Sequence, residues 1–407
     1  MDSLQHRRGN ARLRLVNREG SVAANALLRL KLKRHSFLFG TGMFDAIELC
    51  DPNTGEERRE FLRRRLEKLQ GVFNYATLPF YWGRFEKEEG QPDTQRLVAA
   101  ARWLKDRGVA LKGHPLCWHT VCAPWLLKYD DETILNKQLA RIRREVEGFR
   151  GLIDRWDVIN EVVIMPVFDR YDNAVTRLCR HWGQVGLTKM VFDEAKKSSL
   201  GATLLLNDFN TSPAYENLIE RCLDASVPID VIGIQSHQHQ GYWGREKLEE
   251  VLSRFSRFGL PIHFTENTLI SGELMPRHIE DLNDWVVPSW PTTPEGEERQ
   301  ARQMEEMYRV LFAHPLVEAI TNWDAVDGCW LGAPSGVLRA DNTPKPAFEM
   351  LDRLIHEEWG TELELRTDGE GFASFTGMLG SYEIDCGGKT LHFELSKENQ
   401  ETIHLTL

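Results

Sequence analysis

The 407-residue sequence has few of the features that classify a protein quickly. Its seven cysteines are scattered at positions 50, 117, 122, 179, 222, 329 and 386. The tightest pair, Cys117 and Cys122, has the wrong spacing for a CxxC redox or zinc site. That excludes a disulfide-stapled mini-protein and favours free thiols in a reducing compartment. No apolar run approaches the roughly 18–20 residues that a membrane-spanning helix needs, so no membrane association is expected. Basic charge is also short: Lys+Arg is 50 against Asp+Glu 61, a net charge of −11. Nucleic acid and anionic membranes need an electropositive footprint, so neither is an expected partner. The opening MDSLQHRRGN carries arginines but no apolar stretch behind them, which does not read as a secretory leader. Together with the thiols this makes a cytoplasmic location the expectation. Low-complexity tracts and internal repeats are missing too.

What is present is tryptophan, 12 against 8 tyrosines, and a regular alternation of elements. Short apolar runs at 37–43, 75–82, 110–119, 155–161, 203–209, 231–237, 261–266 and 319–323 are separated by helical periodicity. In 58–70, Phe61, Leu62, Leu66 and Leu69 share one face; in 94–107 and 245–258 the same spacing recurs. Eight strands alternating with helices over about 320 residues predict an α/β fold, a (β/α)8 TIM barrel. A doubly wound sheet is disfavoured because no GxGxxG turn follows the first strand. Outside the barrel, residues 11–35 alternate apolar and polar positions and read as a β-hairpin. Short strands follow at 372–375, 381–384, 390–395 and 402–405. Neither end can bury a core alone, so the two are expected to form one β-rich accessory unit. The expected division is therefore 1–36 and 361–407 for that unit and 37–360 for the barrel.

Barrel chemistry sits where the strands end at their C-terminal face. These ends are densely polar: Gly113-His114 to Trp118-His119, Trp156-Asp157-Val158-Ile159-Asn160-Glu161, Asn207-Asp208-Phe209-Asn210, Gln235-Ser236-His237-Gln238-His239, Thr265-Glu266 and Trp323-Asp324. One glutamate after a strand is ordinarily a rim residue in an ion pair. Glu161 and Glu266, ending the fourth and seventh strands, instead face each other across a barrel mouth. Paired carboxyls so placed suit glycoside hydrolysis, one protonating the leaving oxygen and the other attacking or activating water. The histidines 114, 119, 237 and 239 fit either hydrogen-bonded packing or metal ligation, and His-x-His lacks a third ligand of its own. Trp118, Trp323 and Trp330 fit core packing or a stacking wall for a ring-shaped ligand.

Taken together these motifs resemble glycoside hydrolase family 10, the retaining endo-β-1,4-xylanases, over roughly residues 37–358. The resemblance rests on Gly113 to His119, Trp156 to Glu161, Asn207 to Asn210, Gly233 to His237, Thr265-Glu266, and Trp323 and Trp330 followed by Lys345-Pro346-Ala347. It implies Glu161 as general acid/base and Glu266 as nucleophile, in a double displacement on xylan or xylo-oligosaccharides without a metal or other cofactor. It also implies that Asn160 bonds a sugar 2-hydroxyl and that Asn207 binds substrate. His237 and Gln235 would keep Glu266 ionised, His114 and Trp118 would line the sugar-donor side, and Trp323 and Trp330 would cap the ring at the cleaved bond. The chain departs from the family pattern in three places. Leu78-Pro79-Phe80-Tyr81-Trp82 is shorter than the usual donor-side motif and puts Tyr81 where a lysine would stand. Thr268 replaces an aspartate that orients the strand-six histidine, and Phe209 replaces a tyrosine.

Two other classes compete. A metal-dependent hydrolase would use the histidines, but no carboxylate-plus-lysine bridge set accompanies them. A glycan-binding protein without turnover is opposed by the intact Asn160-Glu161 and Glu266. Another β-linked glycan remains an alternative substrate. The terminal segments read equally as a carbohydrate-binding module or as a structural flap.

Overall fold

The computed structural model describes residues 4–397 and 402–407. Fifteen strands are present among these residues. β1 (Arg8–Val16) and β2 (Leu27–His35) precede the barrel strands β3 (Leu38–Gly42), β4 (Tyr75–Pro79), β5 (Ala110–His114), β6 (Arg155–Asn160), β7 (Thr203–Asp208), β8 (Val231–Gln238), β9 (Ile262–Leu269) and β10 (Val317–Asn322). β11 (Glu362–Arg366), β12 (Phe372–Met378), β13 (Gly380–Cys386), β14 (Lys389–Leu395) and β15 (Ile403–Thr406) follow. The helices, in chain order, are α1 (Asp45–Leu49), α2 (Glu56–Gln70), α3 (Trp82–Phe85), α4 (Thr94–Lys105), α5 (Asp131–Gly148), α6 (Ala174–Ser198), α7 (Pro213–Asp224), α8 (Arg245–Ser256), α9 (Pro294–Phe312) and α10 (Pro346–Arg353). The chain divides into two compact units, 39–347 and 1–38 with 348–407.

The barrel closes in the order β10-β3-β4-β5-β6-β7-β8-β9, its neighbouring strands running parallel. Each predicted apolar run is a strand of it. Strands covered on both faces read as near-continuous apolar sequence, which is why the runs were conspicuous; every residue of β9 is buried. Helix starts follow side-chain capping. Asp130 accepts from the Thr133 amide, Asn173 from Thr176, and Thr293 from Gly296, the last with Pro294 in the first turn. Two glycines are demanded by close approach. A Cβ on Gly113 would lie 2.1 Å from the Trp156 ring, and one on Gly233 would lie 2.5 Å from Asn207 Oδ1.

The terminal unit corrects one expectation. β1 and β2 do not pair as a hairpin. β1 sits between β12 and β15 in a three-stranded sheet, whereas β2 lies between β11 and β13 in a four-stranded one. Alternation specifies which face of a strand is buried, not which strand pairs with it. Leu13 and Leu15 of β1 and Leu28 and Leu30 of β2 belong to one core, shared with Phe375, Tyr382, Ile384 and Leu395. Three aromatic residues of this unit serve that core: Phe375, Tyr382 and Phe393, the last two stacked at 5.1 Å; Phe372, on the other face of β12, is covered by the Arg12 guanidinium at 4.1 Å. This packing favours the structural reading of the unit over a sugar platform.

Candidate active site

The polar strand ends converge at the mouth of the barrel. Glu161 directly follows β6 with φ +58°, a left-handed conformation that costs a non-glycine residue about 1–3 kcal/mol and recurs at functional sites. Its amide is fixed by Asn207 O at 2.9 Å. The loop beyond is tied down by Asp208, whose carboxylate accepts from the Val163 amide at 3.0 Å. Three donors meet the Glu161 carboxyl: Trp118 Nε1 at 2.9 Å, Asn160 Nδ2 at 3.1 Å and Gln235 Nε2 at 3.3 Å. Burial, and then the charge of Glu266, push its pKa up to about 8. The carboxyl is enclosed while an edge of the residue stays open to solvent, as a group that must meet substrate requires.

Glu266, within β9, is treated oppositely. Burial would raise its pKa, but the charges of His114, His237 and Lys112 and a hydrogen bond from His237 outweigh burial and hold it below the ordinary carboxylate value. Asn207 Nδ2 donates to its Oε1 at 2.7 Å, and His237 Nε2 stands 3.2 Å from its Oε2. Beneath lies a buried ion pair, Lys112 Nζ to Asp157 Oδ2 at 2.7 Å, with both side chains fully shielded. His114 Nδ1 approaches the same Asp157 oxygen at 2.7 Å, so it carries the proton, and lies 3.9 Å from Glu266 Oε1. Two carboxyls a few side chains apart thus have protonation preferences driven in opposite directions, the signature of paired acid and nucleophile assignments.

Aromatic rings wall the pair. Tyr81 meets His114 and Trp118 at 5.7 Å each, Trp323 meets His114 at 5.2 Å, and Trp330 meets His237 at 4.4 Å. Trp330 is held by Asp324, which accepts from its amide at 3.3 Å and from Ser335 Oγ at 2.5 Å. All eleven residues singled out at the strand ends therefore gather at one mouth, although two stand differently from expectation. Gln235 donates to Asn160 and Glu161, not to Glu266, because a register shift at Ile234/Gln235 in the β8–β9 pairing turns its amide toward β6. Asn207 is shut from solvent and spends its whole amide on Asn160, Glu266 and Thr265, so it supports the carboxylate and does not reach a sugar. Sequence reasoning missed the Lys112–Asp157 floor. The available signal was a lysine inside an otherwise apolar barrel strand, two residues before His114 and so on the same face.

A cation at the mouth would have to use His114, Asp157 and Glu266, whose ligand atoms lie within 4.8 Å of one another. Those donors do not fit a metal, since the Lys112 ammonium already neutralises Asp157 and would repel a second cation. Among the described residues His237 and His239 join no ligand group; their Nδ1 atoms share the Thr268 hydroxyl at 3.4 and 3.2 Å. That hydroxyl is the partner His237 finds in place of an aspartate.

The model of the family described as glycosyl hydrolase family 10 matches residues 73–353, more than half of the chain. The chain belongs to glycosyl hydrolase family 10. Among curated family relatives, "Endo-1,4-beta-xylanase/feruloyl esterase" of Xylanibacter ruminicola is 26% identical over 302 residues, covering 67% of this chain and 40% of that protein. "Anti-sigma-I factor RsgI6" of Acetivibrio thermocellus is 24% identical over 389 residues, 93% of this chain and 45% of that one. The chain thus spans less than half the length of these two relatives. The solved family 10 structure from Paenibacillus barcinonensis superposes with a TM-score of 0.62 at 20% identity, over 79% of this chain and 95% of that chain, which establishes the shared barrel.

Proposed function

We propose that this family 10 barrel is a retaining glycosidase that cleaves β-1,4-xylosidic bonds of xylan or xylo-oligosaccharides by double displacement. The observation that carries the reading is the opposed pair: Glu161, just after β6, pushed up to about 8 and Glu266, within β9, held low. In the first step a Glu266 oxygen attacks the anomeric carbon. The glycosidic C–O bond breaks, and the Glu161 proton passes to the departing oxygen. Glu161, now ionised, takes a proton from water as that water attacks the anomeric carbon and releases Glu266. The second hydrogen of the Asn160 amide suits a sugar 2-hydroxyl, a contact that strengthens as positive charge builds on the ring. Trp118, Trp323 and Trp330 offer faces for the sugar, and Tyr81 narrows the donor side. The xylanase name of the Xylanibacter ruminicola relative supports a xylan-type substrate, and the seven unpaired cysteines support a reducing compartment.

The decisive experiment assays wild type, Glu161→Ala and Glu266→Ala on xylan and on an activated aryl β-xylobioside, with the product anomer read by NMR. Expected are a retained anomer, loss of both activities in Glu266→Ala, and in Glu161→Ala loss of xylan hydrolysis with a rapid first release of the aryl group followed by slow turnover, since a good leaving group needs no proton but the attacking water has lost its base. Inverted product, or equal turnover by all three proteins, defeats the proposal.

A further inference from the structure

The loops after β6 and β9 are joined above the mouth. Arg170, in the segment 161–173, makes a two-pronged bridge to Asp284, Nη1 to Oδ1 at 2.9 Å and Nη2 to Oδ2 at 2.7 Å. Its Nε lies 3.2 Å from Asp281. The partner segment, 270–293, is long but anchored at its base. Arg299 donates to Ile270 O at 3.0 Å, Trp290 Nε1 to Glu273 O at 2.7 Å, and the Met275 amide to His239 O at 3.0 Å. Gln240, after β8, donates to Pro276 O and Ile279 O, so the segment leans over the β8 end. On the other side, Arg180 of α6 holds Pro166 O and Phe168 O. In the circular strand order only β7 and β8 separate β6 from β9 by the short way round. The clip therefore spans the β7–β8 sector of the rim.

On the glycosidase reading, that sector lies on the leaving-group side. His114 in β5, Tyr81 after β4 and Trp323 after β10 wall the opposite half of the mouth, which this reading gives to the sugar that becomes bonded to Glu266. The oxygen protonated by Glu161 then departs across β7 and β8, beneath the clipped segments. The surface there carries exposed apolar side chains. Of the seven large apolar side chains exposed among the described residues, five stand on these segments or between them: Val167, Tyr171, Phe209, Leu274 and Val286.

The geometry points to an arch, closed by Arg170 on Asp281 and Asp284, that limits the leaving-group side to one or a few sugars. This rests on the glycosidase reading and sharpens it. The enzyme favours xylo-oligosaccharides cleaved near their reducing end, and a long xylan backbone is disfavoured on the leaving-group side while the arch is clipped. A two-pronged guanidinium–carboxylate bridge with a second acid beside it is the exposed ion-pair geometry that does hold a loop.

The test compares kcat/KM on polymeric xylan, on xylohexaose and on aryl β-xylobioside for wild type, Arg170→Ala and the double variant Asp281→Asn/Asp284→Asn. Wild type should prefer the hexaose, release short reducing-end products and work well on the aryl substrate. Both variants should keep the aryl activity and raise the xylan-to-hexaose ratio by about three- to fivefold, the factor that loss of one exposed ion-pair cluster allows. An unchanged ratio in both variants, with the hexaose still cleaved, overturns the arch and leaves the glycosidase reading intact. A wild type that cleaves none of the three removes the glycosidase reading, and the arch with it.

Discussion

Replacing Glu161 by glutamine should abolish xylan hydrolysis and, in alkaline solution, make the protein more stable. A carboxyl raised from 4.5 to about 8 binds its proton more tightly in the folded chain than in the unfolded one. Stability therefore falls as pH rises from 4.5 to about 8 and is level above that. The full displacement corresponds to about 5 kcal/mol against the ionised form. Coupling to Glu266 and relaxation around a newly formed charge reduce this, leaving about 3 kcal/mol at pH 9. Glutamine carries no charge and escapes the penalty. It has only one carbonyl oxygen, so either Trp118 Nε1 or the Asn160 and Gln235 amides lose their acceptor. The variant therefore carries a cost of about 1 kcal/mol at every pH, because a carboxyl oxygen accepts a hydrogen bond in either protonation state and the glutamine nitrogen does not. The assay is the barrel melting temperature of wild type and Glu161→Gln between pH 4 and pH 9. At pH 4 the two should match within a degree or two; at pH 9 the variant should melt about 5 °C higher. A difference that stays constant across this range refutes the argument that Glu161 is held protonated by its surroundings.

Three further outcomes follow from the same geometry. The alkaline limb of the pH profile of kcat/KM should fall near the Glu161 value of about 8, while the acid limb should lie below the ordinary carboxylate value because His114, His237 and Lys112 hold Glu266 ionised; a maximum above pH 9 would contradict both assignments. Lys112→Met should cost about 3–5 kcal/mol, because it leaves Asp157 buried without its ammonium partner, and calorimetry should show the loss as a lower barrel transition. Deleting residues 362–407 should make residues 8–35 sensitive to protease, since β1 and β2 then lose every strand they pair with; a resistant N-terminal segment would refute the shared-core description.

The barrel was legible because its strands are buried on both faces and carry their polar residues at one end. Runs such as Thr203–Asp208 and Ile262–Leu269 announce the strand and the site together. The facing glutamates, Glu161 and Glu266, were legible for the same reason. What escaped is long-range pairing. β1 and β2 show clean alternation, yet their partners lie more than 300 residues away, and nothing in a period of two names a partner. Arg170 and Asp284 are 114 residues apart on loops without periodicity, and their meeting depends on where two strand ends stand around a closed ring. Gln235 could be assigned to the mouth but not to a carboxylate, because one irregular step in the β8–β9 pairing decides which way its amide turns.

The split origin of the terminal unit also orders events during synthesis. β1 and β2 leave the ribosome first, but their neighbours β11, β12, β13 and β15 follow only after the eight barrel strands. For the time needed to make some 330 residues at about 5–20 per second, the apolar faces of Leu13, Leu15, Leu28 and Leu30 have no sheet to cover them. The barrel can finish its local pairings meanwhile. The later strands then close the sheets that the first strands began, so the nascent chain carries four uncovered strand edges, the last of which is covered only when translation has passed residue 406. That interval, rather than the finished fold, is when this protein is most exposed to aggregation and to chaperone capture.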